Sequence, residues 1–178
     1  MPNIILAQNI TNVEFAPAGN NAFGVTSLAN TPAGRVSEWA DLSMLNGAGS
    51  SNPLNPRPTR FGWLARTKVT GGNPVVGEYI EQRIIRAWTH PGATVYADGN
   101  QANADAALSS LDKLLNMQQI EPIMIDKADS NEHFTASGIV TLLCDFVGIC
   151  WVNRTSRTLS ATNGDHFFVL FPMPDEIQ

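Results

Sequence analysis

From residue 60 onward the chain is a succession of short apolar segments, each cut off by turn residues after about ten positions. This spacing constrains the fold more than any other feature. RFGWLARTKV (60–69) alternates, with Phe61, Trp63 and Val69 among its apolar positions, and runs into the turn Gly71-Gly72-Asn73-Pro74. GEYIEQRIIRAW (77–88) reads as a long strand with Tyr79, Glu81, Arg83, Ile85 and Ala87 on one face. Ile80, Gln82, Ile84, Arg86 and Trp88 occupy the other. Neither face is purely polar or apolar, so one side of this strand meets something other than water. His90-Pro91-Gly92 and Asp98-Gly99-Asn100 read as turns, and strand signals return at 120–125, 134–143, 147–152, 159–162 and 167–171. Short strands with Asp-, Asn-, Ser- and Gly-bearing connections predict an all-β fold, an antiparallel β-sandwich of jelly-roll type.

Two segments depart from this rhythm. Between 103 and 117, Ala104, Ala107, Leu108, Leu111, Leu114 and Leu115 recur with helical period. Asn103 stands as an N-cap and Asp105 in the first turn, so one short inserted helix is expected there. Residues 1–33 carry a single charge, Glu14, and their short apolar pieces are interrupted by Pro17, Gly19, Gly24 and Pro32. They read as an extended N-terminal arm (1–33) ahead of a β-sandwich domain (34–178). Residues 35–45 fit a helical face (Val36, Trp39, Leu42) and a strand face (Val36, Ala40, Leu42) equally well. Residues 47–59, with Pro53, Pro56 and Pro58, read as a loop.

Composition narrows function. The 178 residues suffice for one domain with its own core. Charged residues make up 15%, against about 25% in typical domains, so the surface is neutral and amide-rich, suited to lasting protein contacts. A net charge of -5 disfavours binding to a phosphate backbone. No run of apolar residues is long enough to span a membrane, and MPNIILAQNI lacks the basic start of a signal peptide. The sequons at Asn9 and Asn153 then read as coincidence. Cys144 and Cys150, about 20 Å apart along one extended strand, read as two buried free thiols.

No catalytic, metal or cofactor-binding residue emerges. His90, His133 and His166 are scattered, the cysteines lack metal-ligand spacing, and the Asp129 cluster has Phe134 where a calcium loop needs glycine. There is no G-x-S-x-G elbow, no phosphate-cradling loop, and no pair of carboxylates that can be set across a cleft. Trp39, Trp63, Trp88 and Trp151 lie in apolar segments and read as core, although two of them on one exposed face would make a sugar-stacking platform.

VGEYIEQRII, NADAALSSLDKLLNMQQIEPIMI, SGIVTLLC, VGICWVNRTSRTLSA and the closing HFFVLFPMPDEIQ form a pattern over roughly residues 35–178. It resembles the β-sandwich cement or decoration proteins of tailed bacteriophages. The resemblance implies a non-enzymatic virion protein on the outer capsid surface, made in the host bacterial cytoplasm. Its partners would be the major capsid protein and further copies of itself, with no cofactor. The residues themselves point the same way. The neutral arm would reach a neighbour through Ile4, Leu6, Phe15 and Phe23. FFVLF (167–171) is apolar at both parities, which makes Phe167, Val169 and Phe171 candidates for a subunit interface. The alternative reading is a carbohydrate-binding β-sandwich module of a fibre or tail component.

Overall fold

Most breaks between the long strands send the chain across from one sheet to the other. The computed structural model describes residues 12–30, 34–42, 58–89 and 95–173. Its strands are β1 (Val13–Ala16), β2 (Asn21–Ala22), β3 (Gly34–Val36), β4 (Ala40–Asp41), β5 (Arg60–Thr67), β6 (Val69–Thr70) and β7 (Tyr79–Thr89). They continue as β8 (Val95–Ala97), β9 (Ala106–Ala107), β10 (Gln118–Met124), β11 (Phe134–Thr141), β12 (Phe146–Asn153), β13 (Thr158–Leu159) and β14 (Phe167–Pro172). One sheet has the order β11-β5-β14-β1-β2 and the other β10-β7-β12-β3-β9, with β8 on β7, β4 on β12, and β6 paired to β13 apart from both.

The walk between sheets defines the architecture. β1, β5, β11 and β14 belong to the first sheet, while β3, β7, β10 and β12 belong to the second. Only β7 and β10 are consecutive members of one sheet among these eight, and the last strand, β14, lies between the first and third of them, β1 and β5. All their pairings are antiparallel. This is the double Greek key of a jelly roll. The ambiguous stretch after 34 resolves as strands β3 and β4.

The core between the sheets is aromatic. Trp63 on β5 stacks on Phe168 of β14 at 5.6 Å, and Phe15 of β1 meets the edge of Phe168. Phe23 sets its ring edge-on to Trp151 of the opposite sheet at 5.1 Å. Gly138 lies opposite Trp63 in the β11–β5 ladder, where a Cβ would fall 2.9 Å from the indole Nε1. No larger residue fits there without moving the indole.

Val13, Phe15, Phe23 and Val25 are all core residues. The expected arm is therefore corrected over residues 12–30: β1 is the first strand of the jelly roll, antiparallel to β14 through Val13↔Leu170 and Phe15↔Phe168. Among the described residues the sandwich already includes Val13, well before residue 34. The breakers that suggested an arm supply the turn at 17–20 and the crossing to the second sheet. Phe15 and Phe23 have no exposure, so they are core packing and not anchors for a neighbour. Ile4 and Leu6 lie outside the described residues, as does most of the loop read at 47–59.

The second correction concerns the helix expected at 103–117. Only Leu111–Asn116 coil, as a short 3₁₀ turn whose start is capped by the Ser110 hydroxyl accepting from the Asp112 N–H. Upstream, Ala106–Ala107 pair with β3, and the Leu108 N–H donates to the Gly34 carbonyl. Asn103, read as an N-cap, instead accepts from the Trp39 N–H at 2.7 Å, and Asp105 takes the Arg35 guanidinium at 2.7 Å. Backbone groups spent on a neighbouring strand are not available to a helix. The leucine period is thus a coincidence of spacing: Leu114 is buried, but Leu115 is 83% exposed.

The same segment explains the mixed character of β7. Leu114 and Met117 pack with Ile85, Cys150, Val152 and Val36 on the outer side of the second sheet, forming a smaller core. Glu81, buried beneath this cover, accepts from Arg83 Nε at 2.8 Å and from Arg154 Nη2 at 2.9 Å. Arg83 Nη1 also donates to the Leu114 carbonyl at 3.0 Å, tying the cover down. Burial opposes ionisation of Glu81, yet the two guanidinium bonds outweigh it and hold the carboxyl below its usual range. Cys150 and Cys144 are both buried and neither is in a disulfide, as expected. Burial, with the Glu81 charge nearby, pushes Cys150 up to about 12.

Three expectations follow from this packing. Phe15→Ala and Phe23→Ala should each lower unfolding free energy by about 3–5 kcal/mol in denaturant titration. Glu81→Gln should cost about 3 kcal/mol, because it leaves two guanidinium groups without their carboxylate. Glu81 has a depressed folded pKa, so its contribution is complete above the unfolded value of 4.5 and fades as pH falls below it. Melting temperature against pH should show this acid-side loss in the native chain and less of it in the Glu81→Gln variant. In thiol labelling, neither cysteine should react before global unfolding.

Candidate functional site

Strand alternation decides what the first sheet shows to its surroundings. On β14, Phe168 and Leu170 turn into the core with no exposure, so Phe167, Val169 and Phe171 face outward. On β5, Phe61, Trp63, Ala65 and Thr67 are buried, which sends Gly62, Leu64 and Arg66 outward. Three rows cross the ladders: Phe171, Gly62 and Ile139; Val169, Leu64 and Ser137; Phe167, Arg66 and Thr135. Ile139 is 57% exposed and Phe171 37%, with Leu64, Val169 and Phe167 half-buried. Gly62 places no side chain between Phe171 and Ile139, leaving a shallow gap in an otherwise apolar face. The second sheet has no such face at its centre, since residues 106–117 cover it.

Phe167, Val169 and Phe171, singled out in the sequence for their parity, therefore share one surface. Leu64 and Ile139 complete it and were missed. The alternation of 60–69 carried the signal for Leu64, which has opposite parity to Phe61 and Trp63. Ile139 lies in a run apolar enough to read as core on both sides.

Beyond Phe167 the face ends in a polar corner. The Arg66 guanidinium lies 4.7 Å over the Phe167 ring, and its Nη2 donates to the Gly164 carbonyl at 2.6 Å. His166 is buried, bridging Thr67 Oγ1 and the Ser160 carbonyl at 2.9 Å each, and burial lowers its pKa. Ser160 Oγ donates to Asp165 Oδ2 at 2.6 Å, while His133 Nε2 meets Asp165 Oδ1 at 3.0 Å. Burial works against the Asp165 charge, but these two bonds hold its carboxyl below the usual range. Serine, aspartate and histidine thus meet, but in the wrong order for nucleophilic catalysis. The carboxylate stands between hydroxyl and imidazole, so the imidazole cannot take the serine proton.

The remaining candidates are dispersed. Among the described residues no three His, Cys, Asp or Glu side chains gather as metal ligands. The Asp129 cluster is a polar turn in which Asp129 Oδ1 accepts from the Asn131 N–H. His90 lies outside the described residues. Trp63 and Trp151 are core, Trp39 packs on Phe146, and Trp88 alone of the four tryptophans is exposed, at 38%. Its cross-strand partner Tyr96 is 61% exposed. Comparison with protein-family models, with curated proteins and with solved structures found no match to this chain.

Proposed function

We propose that the protein is a non-enzymatic structural subunit of a tailed-bacteriophage virion, a cement or decoration protein that binds the outside of the capsid shell. The observation that carries this reading is the outward apolar face of the first sheet, built by Phe167, Val169 and Phe171 with Leu64 and Ile139. Apolar residues aligned across three neighbouring strands form a continuous surface, and such surfaces in folded proteins mark contacts with other proteins. The jelly roll supports the reading by analogy alone, since the same architecture serves viral coats, lectins and enzymes. Net charge of -5 favours a partner protein over nucleic acid. The partners are the major capsid protein and further copies of this chain, with weak single contacts multiplied over a symmetric lattice.

A second reading, a carbohydrate-binding module of a fibre or tail component, has one observation in its favour: the exposed cross-strand pair Trp88 and Tyr96. Binding to purified particles separates the two. Ile139→Asp with Phe171→Asp should leave the melting temperature within a few degrees of the parent, because both side chains face solvent. The same pair should weaken particle binding by about 100-fold or more. Unchanged binding would remove the face from the interface, and loss of binding on Trp88→Ala alone would favour the sugar-binding module.

A further inference from the structure

Four half-buried arginines are matched to carboxylates: Arg35 to Asp105, Arg83 and Arg154 to Glu81, and Arg86 to Asp98. Half-buried Arg157 donates instead to the Asn73 and Gly71 carbonyls, from Nε and Nη1. Arg66 differs from all of these. Its protein partners are the Gly164 carbonyl and the face of Phe167, and its Nε is buried with no acceptor. A guanidinium presents five donors in a planar fork that suits a carboxylate, and a partly desolvated one gains more from an anion than an exposed one. Stacking on Phe167 and the Gly164 bond hold the fork in one orientation. Beside it opens a depression of about 380 Å³, walled by Ala16, Gly19, Asn163 and His166 as well as Arg66 and Phe167. Both His166 nitrogens are spent inside the protein, so that ring forms a neutral wall. Glu14 also lines the depression and makes no ion pair with Arg66, which leaves the guanidinium to an incoming carboxylate.

We propose that this depression is an anion pocket whose occupant is a carboxylate side chain, aspartate or glutamate, of a partner protein seated on the apolar face. The proposal rests on the docking reading above, and it adds the chemistry of the partner. Phe167 belongs to both the face and the pocket, so an acidic residue flanked by apolar ones fills the two together. An apolar strip alone would tolerate many orientations of the partner. One charge-assisted bond at the end of it selects a single register.

Acetate is the probe, followed by NMR of backbone amides and arginine Nε–H groups at constant ionic strength. Saturable shifts are expected at the Arg66 Nε–H and at the amides of Ala16, Ala18, Gly19 and residues 163–167. Small, non-saturating changes are expected at the exposed Arg60 and at Arg157, whose Nε already donates to the Asn73 carbonyl. Arg66→Gln should weaken acetate binding roughly tenfold or more, and Arg66→Lys should retain part of it. If Arg66→Gln fails to fold, the parent decides, since shifts spread evenly over Arg60, Arg66 and Arg157 would overturn the site. Inorganic phosphate binding more tightly than acetate at the same position would overturn the carboxylate assignment. None of these outcomes touches the apolar face, which the Ile139→Asp, Phe171→Asp variant tests separately.

Discussion

The second sheet cannot stand without the cover that residues 106–117 lay across it. β7 is buried on both sides, and Glu81 on its outer side is met there by the guanidinium groups of Arg83 and Arg154. Arg83 passes the constraint on to the Leu114 carbonyl. A buried carboxylate with two guanidinium partners has few alternative arrangements, so this cluster fixes the cover to the sheet in a single position. Leu114 and Met117 then close over Ile85 and Cys150, which is why that thiol is desolvated.

A two-sheet sandwich has four faces. Two meet in the aromatic core, and one outer face is taken by the cover. What remains is the outer face of the first sheet, where Leu64, Ile139, Phe167, Val169 and Phe171 lie. The asymmetry follows from the long excursion between β7 and β10, the two consecutive strands that stay within one sheet. An excursion there returns over its own sheet and has no route to the other.

The polar corner at Arg66 shows how the same strands can set direction on such a surface. β5 and β14 place Arg66 and Phe167 opposite one another in register, and the 3₁₀ turn at Asn163–Asp165 brings the Gly164 carbonyl to the guanidinium. The neighbouring Ser160, Asp165 and His133 hold that turn. Their bonds serve its shape, since the order of the three groups forbids proton relay from the hydroxyl.

Much of the fold was legible along the chain. Period-two alternation and turn residues located β5, β7, β10, β11, β12 and β14, and the double parity of 167–171 marked the strand that joins core to surface. The mixed faces of β7 announced a cover without naming it. Legibility ended where a segment's partner lies far away in sequence. Helical spacing at 103–117 measured side chains alone, whereas the backbone of that segment was claimed by β3, some seventy residues earlier in the chain. The breakers of the first thirty residues hid a strand because β1 is completed by β14 at the other end of the chain. Local sequence determines which residues alternate and where the chain turns, for these depend on backbone sterics and on neighbours in the chain. Which faces become interior, and which arginine is left with a buried Nε lacking an acceptor, depends on contacts between distant strands, and only the tertiary structure decides them.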